Sequence, residues 1–590
     1  MCGIVGFVGD EPAAPIVLRA ATKLEYRGYD SAGMVSLSGG RIYSNKDVGG
    51  ISDVQRKYRL DQLPGEIALA HVRWATHGRA NQMNAHPHFD CTNQIAVVHN
   101  GIIENYQELH ATLVRKHRFV SEADTEVVCH LIEDYMDEGA SLEGALLRAT
   151  RHLRGSYALA AVSSREPEKI VATAKDCPLV VGLGEGNYFV ASDALSFLDQ
   201  TNRVVFLEEG EVASLTKNGV IFLNREGSEI AKAPQRVDRQ WDEATKEGYD
   251  CFMLKEILEE PQAILRALIQ DRKLIIECAQ EISRAGQVVI TACGTSRHAG
   301  LLGSYLFSKL GAKLCHVVTA SEFHYFSDSI TKDTLVIAVS QSGETADVIE
   351  GVKRAKARGS KVFSIVNVAG SLLTRLSDRV IYLNCGPEIC VAATKSFIAQ
   401  VVIFYLLAFA LKGKLEEGIQ KLEHVSRQIR ENSKQNDEKL QALAQRIKNE
   451  NNFFYIARGL NFAIAAEGAL KLKEISYIHA TCLPAGELKH GTLALIEDGT
   501  PVIALCLRDD TFYETLNNVM ETKARGGFVI GICGENNECY DEWIRIPKVE
   551  EIFYPLVAIT PLQLLAYHLA VARGKDPDRP RHLAKSVTVK

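Results

Sequence analysis

The chain has 590 residues, of which 46% are hydrophobic and 24% are charged, and its formal net charge is −6. These values predict a soluble globular protein of about two to four domains and exclude the strongly basic surface typical of nucleic-acid-binding proteins. The longest apolar run, 401–411, is too short to span a membrane, and no early segment has a signal-peptide pattern. The 14 cysteines are scattered without CxxC pairs, which is typical of reduced thiols in the cytoplasm.

The first domain is expected to be rich in strands and to cover residues 1–238. Short apolar runs between turn residues predict strands, and apolar residues at helical spacing predict helices. We expect strands at 67–72, 95–98, 157–162, 180–183 and 204–207, and helices at 12–25, 106–116 and 125–137. A proline and mixed charges without apolar period in 233–239 predict the domain boundary, followed by a linker at 239–248.

Cys2 stands at the beginning of an apolar pattern that predicts a buried strand. Once Met1 is removed, Cys2 carries a thiol and a free α-amine on one residue. That amine titrates at roughly pH 8, so it can take a proton from the thiol and activate it as a nucleophile. A single early cysteine is common in proteins, so the prediction of a catalytic Cys2 depends on the later motifs.

The second half of the chain contains an internal repeat. Three apolar runs recur at an offset of about 165 residues, which indicates duplication. The paired runs are 288–294 with 453–459, 336–339 with 502–505, and 362–365 with 528–531. Because helical stretches separate these short continuous runs, we expect parallel sheets covered on both faces. The predicted subdomains cover 249–425 and 435–575, and a C-terminal tail covers 576–590.

Hydroxyl side chains follow two strands of the first repeat, in Ser340–Thr345 and in Cys293–Ser296. Ligands bind at the carboxyl ends of parallel strands, and a helix N-terminus favours phosphate. The alternative is that these Ser and Thr residues only cap helices. Two such loops on neighbouring strands favour a phosphate site, whereas the matching loop 508–511 has lost the Ser-Gly pattern. The absence of a Walker lysine and of G-x-G-x-x-G argues against a nucleotide.

The second repeat carries titratable residues on one helical face. Glu467, Lys471 and Glu474 have the spacing i, i+4 and i+7. The alternative is a solvated ladder of ion pairs. A strand end at Gly459 and the titratable loop 484–491 favour a functional role instead. The tail is expected to dock through its apolar residues, the alternative being a frayed basic end.

Several long motifs in order resemble class II glutamine amidotransferases, which are N-terminal-nucleophile enzymes. These motifs are Cys2–Gly6, Leu24–Gly33, Arg73–Gly78, Asn84–His88, His99–Asn105 and Ser121–Glu126. Residues Ser340–Thr345 and the duplicated sheets resemble the sugar isomerase (SIS) domain, which binds phosphosugars. From Cys2 to the tail, the chain resembles the family of isomerising glutamine–fructose-6-phosphate aminotransferases.

The resemblance implies an α/β protein with an N-terminal αββα glutaminase domain of the Ntn type, followed by two doubly wound SIS subdomains. It implies conversion of fructose 6-phosphate and glutamine to glucosamine 6-phosphate and glutamate, the first step of amino-sugar biosynthesis. It further implies a cytoplasmic homodimer that shares its sugar site between chains and needs no cofactor or metal. We expect no nucleic acid or membrane partner.

In the first domain, the resemblance implies that the Cys2 thiolate attacks the side-chain amide of glutamine. Asn100 and the Gly101 N–H would hold the oxyanion, and Arg73 and Asp124 would bind the substrate's α-carboxylate and α-amine. Other residues expected at this site are Thr76, His77 and His86, with Trp74 as the gate of a dry ammonia passage. The alternative for Trp74 is core packing. The histidines near this site lack a Cys or carboxylate at ligand spacing, so no metal is predicted for His71, His77, His86 and His88.

In the second half, the resemblance implies that Lys585 forms a Schiff base with the C2 ketone and that Glu474 moves a proton between C1 and C2. Lys471 and Glu467 would support Glu474, and His490 would help to open the ring. The residues expected to bind the sugar phosphate also include Thr295, Ser296, Ser340, Gln341, Ser342, Thr345, Val391 and Ala584. The chain departs from the family pattern at Ala393, where Ser is frequent, and at Thr492, where Pro is usual.

Two alternatives remain open at this point. The same architecture could act on another ketose phosphate or degrade an amino-sugar phosphate, although degradation needs no glutamine. A sugar-phosphate-sensing regulator is the alternative from another class. Such a binding module would not need Cys2, Glu474 and Lys585 together.

Overall fold

The structure is a computed structural model that describes residues 2–237 and 246–588. The described residues divide into two compact units, one formed by 2–237 with 586–588 and the other by 246–585. Most of the linker predicted at 239–248 lies outside the described residues, and the predicted domain limits stay predictions. All 14 cysteines are free.

The first unit consists mainly of short strands, with helices between some of them. Its strands are β1 Gly3–Val8, β2 Ser31–Ser38, β3 Arg41–Val48, β4 Ile67–Arg73, β5 His88–Phe89, β6 Ile95–Ile103, β7 Gly155–Ser163, β8 Glu166–Lys175, β9 Val180–Leu183, β10 Tyr188–Ala191, β11 Arg203–Phe206, β12 Val212–Thr216, β13 Gly219–Leu223, β14 Glu229–Ile230 and β15 Gln235–Arg236. Its helices are α1 Ala13–Lys23, α2 Ile51–Tyr58, α3 Tyr106–Leu113, α4 Glu126–Asp137 and α5 Leu142–Thr150.

These strands form two antiparallel sheets. The eight-stranded sheet has the order β15-β11-β9-β10-β1-β4-β2-β3, and the seven-stranded sheet has the order β14-β13-β12-β8-β7-β6-β5. The strand β1, which follows Cys2, therefore lies inside its sheet between β10 and β4. This position anchors the predicted nucleophile to the interior of a sheet.

The apolar side chains of this unit form three layers of core. One layer lies between the sheets and contains Ile4 from β1 and Val98 from β6. A second lies between the eight-stranded sheet and α1 with α2, and it contains Val5 from the other face of β1. A third lies between the seven-stranded sheet and α4 with α5. Because both faces of each sheet are buried, the central strands are apolar at successive positions, and the predicted αββα fold is confirmed.

The second unit alternates strands with helices. Its strands are β16 Gln287–Ala292, β17 His316–Thr319, β18 Thr334–Ser340, β19 Lys361–Val366, β20 Arg379–Tyr382, β21 Asn452–Ala457, β22 His479–Pro484, β23 Pro501–Leu505, β24 Phe528–Cys533 and β25 Glu542–Arg545. Its helices are α6 Phe252–Leu258, α7 Glu260–Ala267, α8 Arg272–Arg284, α9 Gly294–Gly311, α10 Phe323–Phe326, α11 Ala346–Ala357, α12 Leu372–Leu376, α13 Lys395–Leu411, α14 Leu415–Ile447, α15 Leu460–Ser476, α16 Phe512–Lys523 and α17 Tyr554–Ala572.

The two sheets of this unit have the same topology. Their strand orders are β17-β16-β18-β19-β20 and β22-β21-β23-β24-β25, and every pairing is parallel. Each of the six apolar runs of the predicted repeat falls on a strand, at corresponding places in the two sheets. The duplicated, doubly wound α/β architecture is confirmed.

Largely buried helices join the two repeats into one core. Residues of α13, α15 and α17 belong to a single apolar cluster that includes strands of both sheets. The segment Glu551–Ala572 is long and apolar enough to cross a membrane, but 89% of its most apolar window is buried inside the protein, as in a core helix. The interval 426–434 between the predicted subdomains lies within α14.

Candidate active site

Cys2 is held beside the end of strand β4. Gly3 pairs with Val72 in the sheet, so Cys2 lies next to the chain that leaves β4 at Arg73 and Trp74. The Sγ atom of Cys2 is 3.4 Å from both the backbone nitrogen and the carbonyl oxygen of Trp74. Burial raises the pKa of the Cys2 thiol, whereas the hydrogen bond from the Trp74 N–H opposes this shift. The thiol therefore needs a base to become a nucleophile.

The side chain of Asn100 is oriented by two buried partners. Burial lowers the pKa of His71 to about 3, so this imidazole is neutral near pH 7. Its Nε2 lies 2.9 Å from the carbonyl of His99 and 3.1 Å from Asn100 Oδ1, and both are acceptors, so Nε2 carries the proton. The Asn100 Nδ2 group then donates to Ser192 Oγ over 2.7 Å and keeps a second hydrogen for an oxyanion. Sequence reasoning missed the roles of His71 and Ser192.

Gly101 occupies a position that only glycine tolerates. Its φ is 126°, and a Cβ atom there would lie 2.0 Å from the Ser156 carbonyl oxygen. The close approach of β6 to β7 thus requires the glycine of the Asn-Gly motif.

Opposite charges lie near Cys2, as predicted for binding an α-amino acid. Arg73 is buried, and its Nη2 donates to the carbonyl oxygens of His77 and Gly78. Its Nη1 is buried without a hydrogen-bond partner among the described residues, so it retains a donor that a carboxylate can use. Asp124 is also buried and accepts the Ile103 N–H over 2.8 Å.

The remaining residues predicted for this site differ in exposure. His86 is buried, and its Nε2 lies 2.9 Å from Thr125 Oγ1, next in sequence to Asp124. His77 is half-buried with its ring edge-on to Tyr106, Trp74 is half-buried, and Thr76 is exposed. Their roles at the glutamine site stay predictions.

In the second unit, the loop Ser340–Thr345 closes on itself at the end of β18. Ser340 Oγ lies 2.8 Å from Thr345 Oγ1 and accepts the Gly343 N–H over 3.1 Å, while Ser342 Oγ accepts the Glu344 N–H. The backbone carbonyl of Gln341 accepts the Asn367 N–H. Thr345 makes no side-chain cap bond to α11, so simple helix capping does not explain its hydroxyl. The α11 N-terminus thus favours an anion at this loop.

Thr295 and Ser296 begin helix α9 and contact other helices. The Thr295 hydroxyl lies 3.0 Å from Glu467 Oε1 and 3.0 Å from Lys471 Nζ, both on α15 of the second repeat. Ser296 Oγ accepts from Gln400 Nε2 over 3.0 Å. Thr295 thus lies against the predicted acid–base face rather than in the Ser340–Thr345 loop.

The titratable face of α15 is buried, so the solvated ion-pair ladder is wrong. The side chains of Glu467 and Lys471 are 0% exposed, whereas that of Glu474 is 21% exposed. Burial alone would lower the pKa of Lys471, but Glu467 and Glu474 raise it above its usual value. Lys471 therefore stays an ammonium between two carboxylates. His298 Nδ1, which sequence reasoning missed, lies 2.8 Å from Glu467 Oε2.

Lys585 is paired with a carboxylate that sequence reasoning also missed. Its Nζ contacts Glu388 Oε2, and both side chains are buried. Glu388 Oε1 accepts the backbone N–H groups of Thr394 and Ser396 over 2.9 and 3.0 Å. Although burial by itself would raise it, Lys585 and the hydrogen bonds from Ser396 hold the pKa of Glu388 below its usual value.

The loop that carries Glu388 also carries Val391. The Val391 N–H donates to the Asp578 carbonyl over 3.2 Å, so the tail lies along this loop, and Ala584 is half-buried beside Lys585 in sequence. His490 is exposed at the end of the turn Ala485–His490. Val587 of the tail is 42% exposed, so docking of the tail through its apolar residues stays a prediction, as do the roles of these residues.

Comparisons with known proteins identify both halves of the chain. The family model described as glutamine amidotransferase domain matches residues 71–199, and the SIS domain model matches 281–410 and 446–573. A solved structure of the C-terminal domain of glucosamine-fructose-6-phosphate aminotransferase from Francisella tularensis is 32% identical, with a TM-score of 0.53; the match covers 57% of this chain and 100% of that chain.

Full-length relatives extend this similarity to the whole protein. The isomerizing glutamine–fructose-6-phosphate aminotransferase of Thermococcus kodakarensis is 46% identical over 601 residues, and the match covers 100% of both chains. The enzyme of the same name from Pyrococcus horikoshii is 44% identical over 599 residues, again with 100% of both chains covered. The chain belongs to the family of isomerizing glutamine–fructose-6-phosphate aminotransferases.

Proposed function

We propose that this protein transfers the amide nitrogen of glutamine to fructose 6-phosphate and yields glucosamine 6-phosphate and glutamate. The observation that carries this function is the full-length match to relatives named for it at 46% identity. A binding-only regulator would not require a buried nucleophile site and a buried lysine site in one chain. The Cys2 surroundings and the Lys585 pair support an enzyme instead.

In the first unit, the Cys2 thiolate attacks the side-chain carbonyl carbon of glutamine. The proton of the thiol passes to the α-amine of Cys2 after removal of Met1, which lies outside the described residues. Asn100 Nδ2 and the Gly101 N–H hold the developing oxyanion, a contribution of about 2.7–4 kcal/mol for such a donor. Ammonia leaves, and water then hydrolyses the thioester to glutamate. The buried charges of Arg73 and Asp124 support binding of the α-carboxylate and α-amine.

In the second unit, Lys585 gives its ammonium proton to the Glu388 carboxylate, and its free amine then adds to the C2 carbonyl of the open-chain sugar; water leaves, which gives a Schiff base. Ammonia then displaces the lysine from C2. Glu474 removes a proton from C1 and returns a proton to C2, while the imine nitrogen gains a proton and the C1 hydroxyl loses one, so the ketose imine becomes a 2-amino aldose. The partial exposure of Glu474 beside two fully buried partners supports its position facing the substrate. The loop Ser340–Thr345 and the α11 N-terminus hold the phosphate.

We further propose that the protein is a cytoplasmic homodimer in which each sugar site takes its histidine from the partner chain. The exposure of His490 on its own chain supports this arrangement. Mixing a His490→Ala variant with a Lys585→Ala variant tests it, because hybrid dimers would restore sites with both side chains. Activity that stays at the level of the separate variants after subunit exchange contradicts a shared site.

The proposed function is tested by measuring glutamate release from glutamine with and without fructose 6-phosphate, with mass detection of the sugar product. We expect sugar-dependent glutamate and about one hexosamine phosphate per glutamate, since nitrogen transfer couples the two products. Glutamate without aminated fructose 6-phosphate contradicts the substrate assignment, and aminated sugar formed from Cys2→Ala with glutamine contradicts the nucleophile.

A further inference from the structure

Four metal-binding side chains converge at the edge of the first unit, away from the predicted glutamine site. Cys91 lies in the turn between β5 and β6, His117 follows α3, and His130 and Glu133 are one helical turn apart on α4. Their ligand atoms all lie within 4.8 Å of one another. Three separate segments of the chain therefore bring a thiol, two imidazoles and a carboxylate to one point.

The two distances from the thiol are close to the edges of a tetrahedral zinc site, and the two from the carboxylate are shorter. Cys91 Sγ lies 3.4 Å from His117 Nδ1 and 3.7 Å from His130 Nδ1. Glu133 Oε2 lies 2.9 Å from His117 Nδ1 and 3.0 Å from His130 Nδ1. With Zn–S near 2.3 Å and Zn–N near 2.0 Å, ligand atoms of a tetrahedral zinc site stand about 3.3–3.6 Å apart. An outward shift of Glu133 by a few tenths of an ångström makes room for the ion.

The surrounding groups are those that support zinc ligands. A zinc-bound imidazole usually donates its other N–H to a carboxylate, which fixes the ring. His117 Nε2 lies 3.2 Å from Asp134 Oδ1, and His130 Nε2 lies 3.8 Å from Glu126 Oε1. The Arg118 N–H points at Cys91 Sγ over 3.5 Å, a contact that stabilises a thiolate. His117 thus has a carboxylate at hydrogen-bond distance from its outer nitrogen, whereas the carboxylate nearest to the outer nitrogen of His130 is 3.8 Å away and makes no hydrogen bond to it.

We propose that Cys91, His117, His130 and Glu133 form a structural zinc site. The thiolate and carboxylate balance the charge of Zn²⁺, and thiolate with imidazole favours zinc over magnesium or calcium. Four protein ligands leave no position for substrate, which is the arrangement of a structural rather than a catalytic ion. The ion fixes the β5–β6 turn and the segment after α3 to α4.

This site adds a function to the first unit without a step in nitrogen transfer. Helix α4 directly follows the segment that carries Asp124, and β6 carries Asn100 and Gly101. Zinc would therefore stabilise the elements that position the predicted glutamine-binding residues. The proposal departs from the sequence-based expectation that the chain needs no metal, and the histidines considered there, His71, His77, His86 and His88, are not part of the site.

The test uses the full-length protein stripped with a chelator and then titrated with Zn²⁺ or Co²⁺. We expect about one ion per chain after dialysis, a sulfur-to-cobalt charge-transfer band, and a higher unfolding temperature with zinc. Cys91→Ser is expected to lose the band and to bind zinc at least about tenfold more weakly. Asp134→Asn, which leaves the four ligands intact, is expected to weaken zinc binding by about tenfold.

Cys539→Ser is the matched control, because this thiol is also accessible but lies in the second unit. It is expected to bind zinc as the unchanged protein does. The proposal is overturned if the unchanged protein retains no zinc after dialysis and shows no charge-transfer band, a result that needs no variant to fold. It is equally overturned if Cys91→Ser and Cys539→Ser retain zinc to the same extent.

Discussion

The side chain of Lys585 forms an ion pair with Glu388, and the two side chains are only 4% and 0% exposed. These residues are 197 positions apart in the chain. The carboxylate is in turn held by the N–H groups of Thr394 and Ser396. We infer that Glu388 is a positioning residue, which keeps the lysine in place until a sugar carbonyl arrives.

Replacing Glu388 by Gln should destabilise the second unit and impair Schiff-base formation. Removing one partner leaves a buried charge uncompensated, which costs about 3–5 kcal/mol. We expect a corresponding loss in the free energy of unfolding and an at least about tenfold lower yield of sugar adduct trapped on Lys585 with borohydride. Glu388→Asp should restore part of the adduct yield, which a purely structural role would not predict.

Glu256→Gln is the control for that experiment. Burial and the charge of Glu388 raise the pKa of Glu256, so this carboxyl is a neutral acid near pH 7. A glutamine amide replaces a neutral acid with little change in shape or charge, so we expect a loss below about 1 kcal/mol. Equal losses in the free energy of unfolding for Glu256→Gln and Glu388→Gln would contradict the assignment of a neutral Glu256 and a charged Glu388.

Replacing Asn100 by Ala should slow glutamine hydrolysis without weakening glutamine binding. The oxyanion exists only in the transition state, so kcat should fall about 10²–10³-fold while KM changes little. Steady-state glutamate release measures both constants. Asn187→Ala, in the turn before β10, is the control and should leave kcat unchanged. A rise in KM with unchanged kcat would show that Asn100 binds the substrate rather than the oxyanion.

Replacing Gly343 by Ala should weaken sugar-phosphate binding. Gly343 has a φ of 67°, and a Cβ atom there would lie 2.0 Å from Ser371 Oγ, so the loop Ser340–Thr345 must shift. We expect the KM for fructose 6-phosphate to rise at least about tenfold, as lost phosphate contacts are charge-assisted hydrogen bonds.

Gly413→Ala separates backbone strain from displacement of the loop. Gly413 has a φ of 74°, but nothing lies within 4 Å of its Cβ position. Gly413→Ala should lower the free energy of unfolding by about 1 kcal/mol and leave the KM for fructose 6-phosphate unchanged. If both variants change the KM alike, the phosphate assignment of the loop is wrong.

The stability of the second unit should fall as the pH rises, because of Glu260. Burial raises the pKa of this carboxyl to about 8, although a hydrogen bond from Thr560 lowers it. Between the unfolded pKa of about 4.3 and about 8, the folded state binds more protons than the unfolded state, so stability falls by about 1.4 kcal/mol per pH unit. Glu256, whose pKa burial also raises, contributes a slope of the same sign, so Glu260→Gln should lose only the Glu260 part, about 1.4 kcal/mol per pH unit. If the free energies of unfolding of the unchanged protein and of Glu260→Gln have the same pH dependence, the raised pKa of Glu260 is contradicted.

Much of the fold could be predicted because its strands are short apolar runs. The six runs of the repeat fall on β16, β18, β19, β21, β23 and β24. The strand predicted at 95–98 extends further, to Ile103, because Asn100 and Gly101 pair with Ala158 and Tyr157 of β7. Pairing with a neighbouring strand thus overrides the low strand propensity of Asn and Gly.

The site could be predicted only where its residues stand in local motifs. Cys2, Asn100 and the loop Ser340–Thr345 belong to such motifs, whereas Glu388 acts through a contact with a distant residue. His298 likewise meets Glu467 across 169 positions. The burial of a side chain also could not be predicted from its spacing. Glu467 and Lys471 have the spacing of a surface ion pair, but both are buried because α15 packs between other helices.

The most direct test of nitrogen transfer is to supply glutamine labelled with ¹⁵N in its amide, together with fructose 6-phosphate and an excess of unlabelled ammonium. Mass spectrometry of the hexosamine phosphate then identifies the source of its nitrogen. We expect product that carries ¹⁵N from the unchanged protein and no labelled product from Cys2→Ala. Product with unlabelled nitrogen from the unchanged protein would contradict transfer from glutamine within the enzyme.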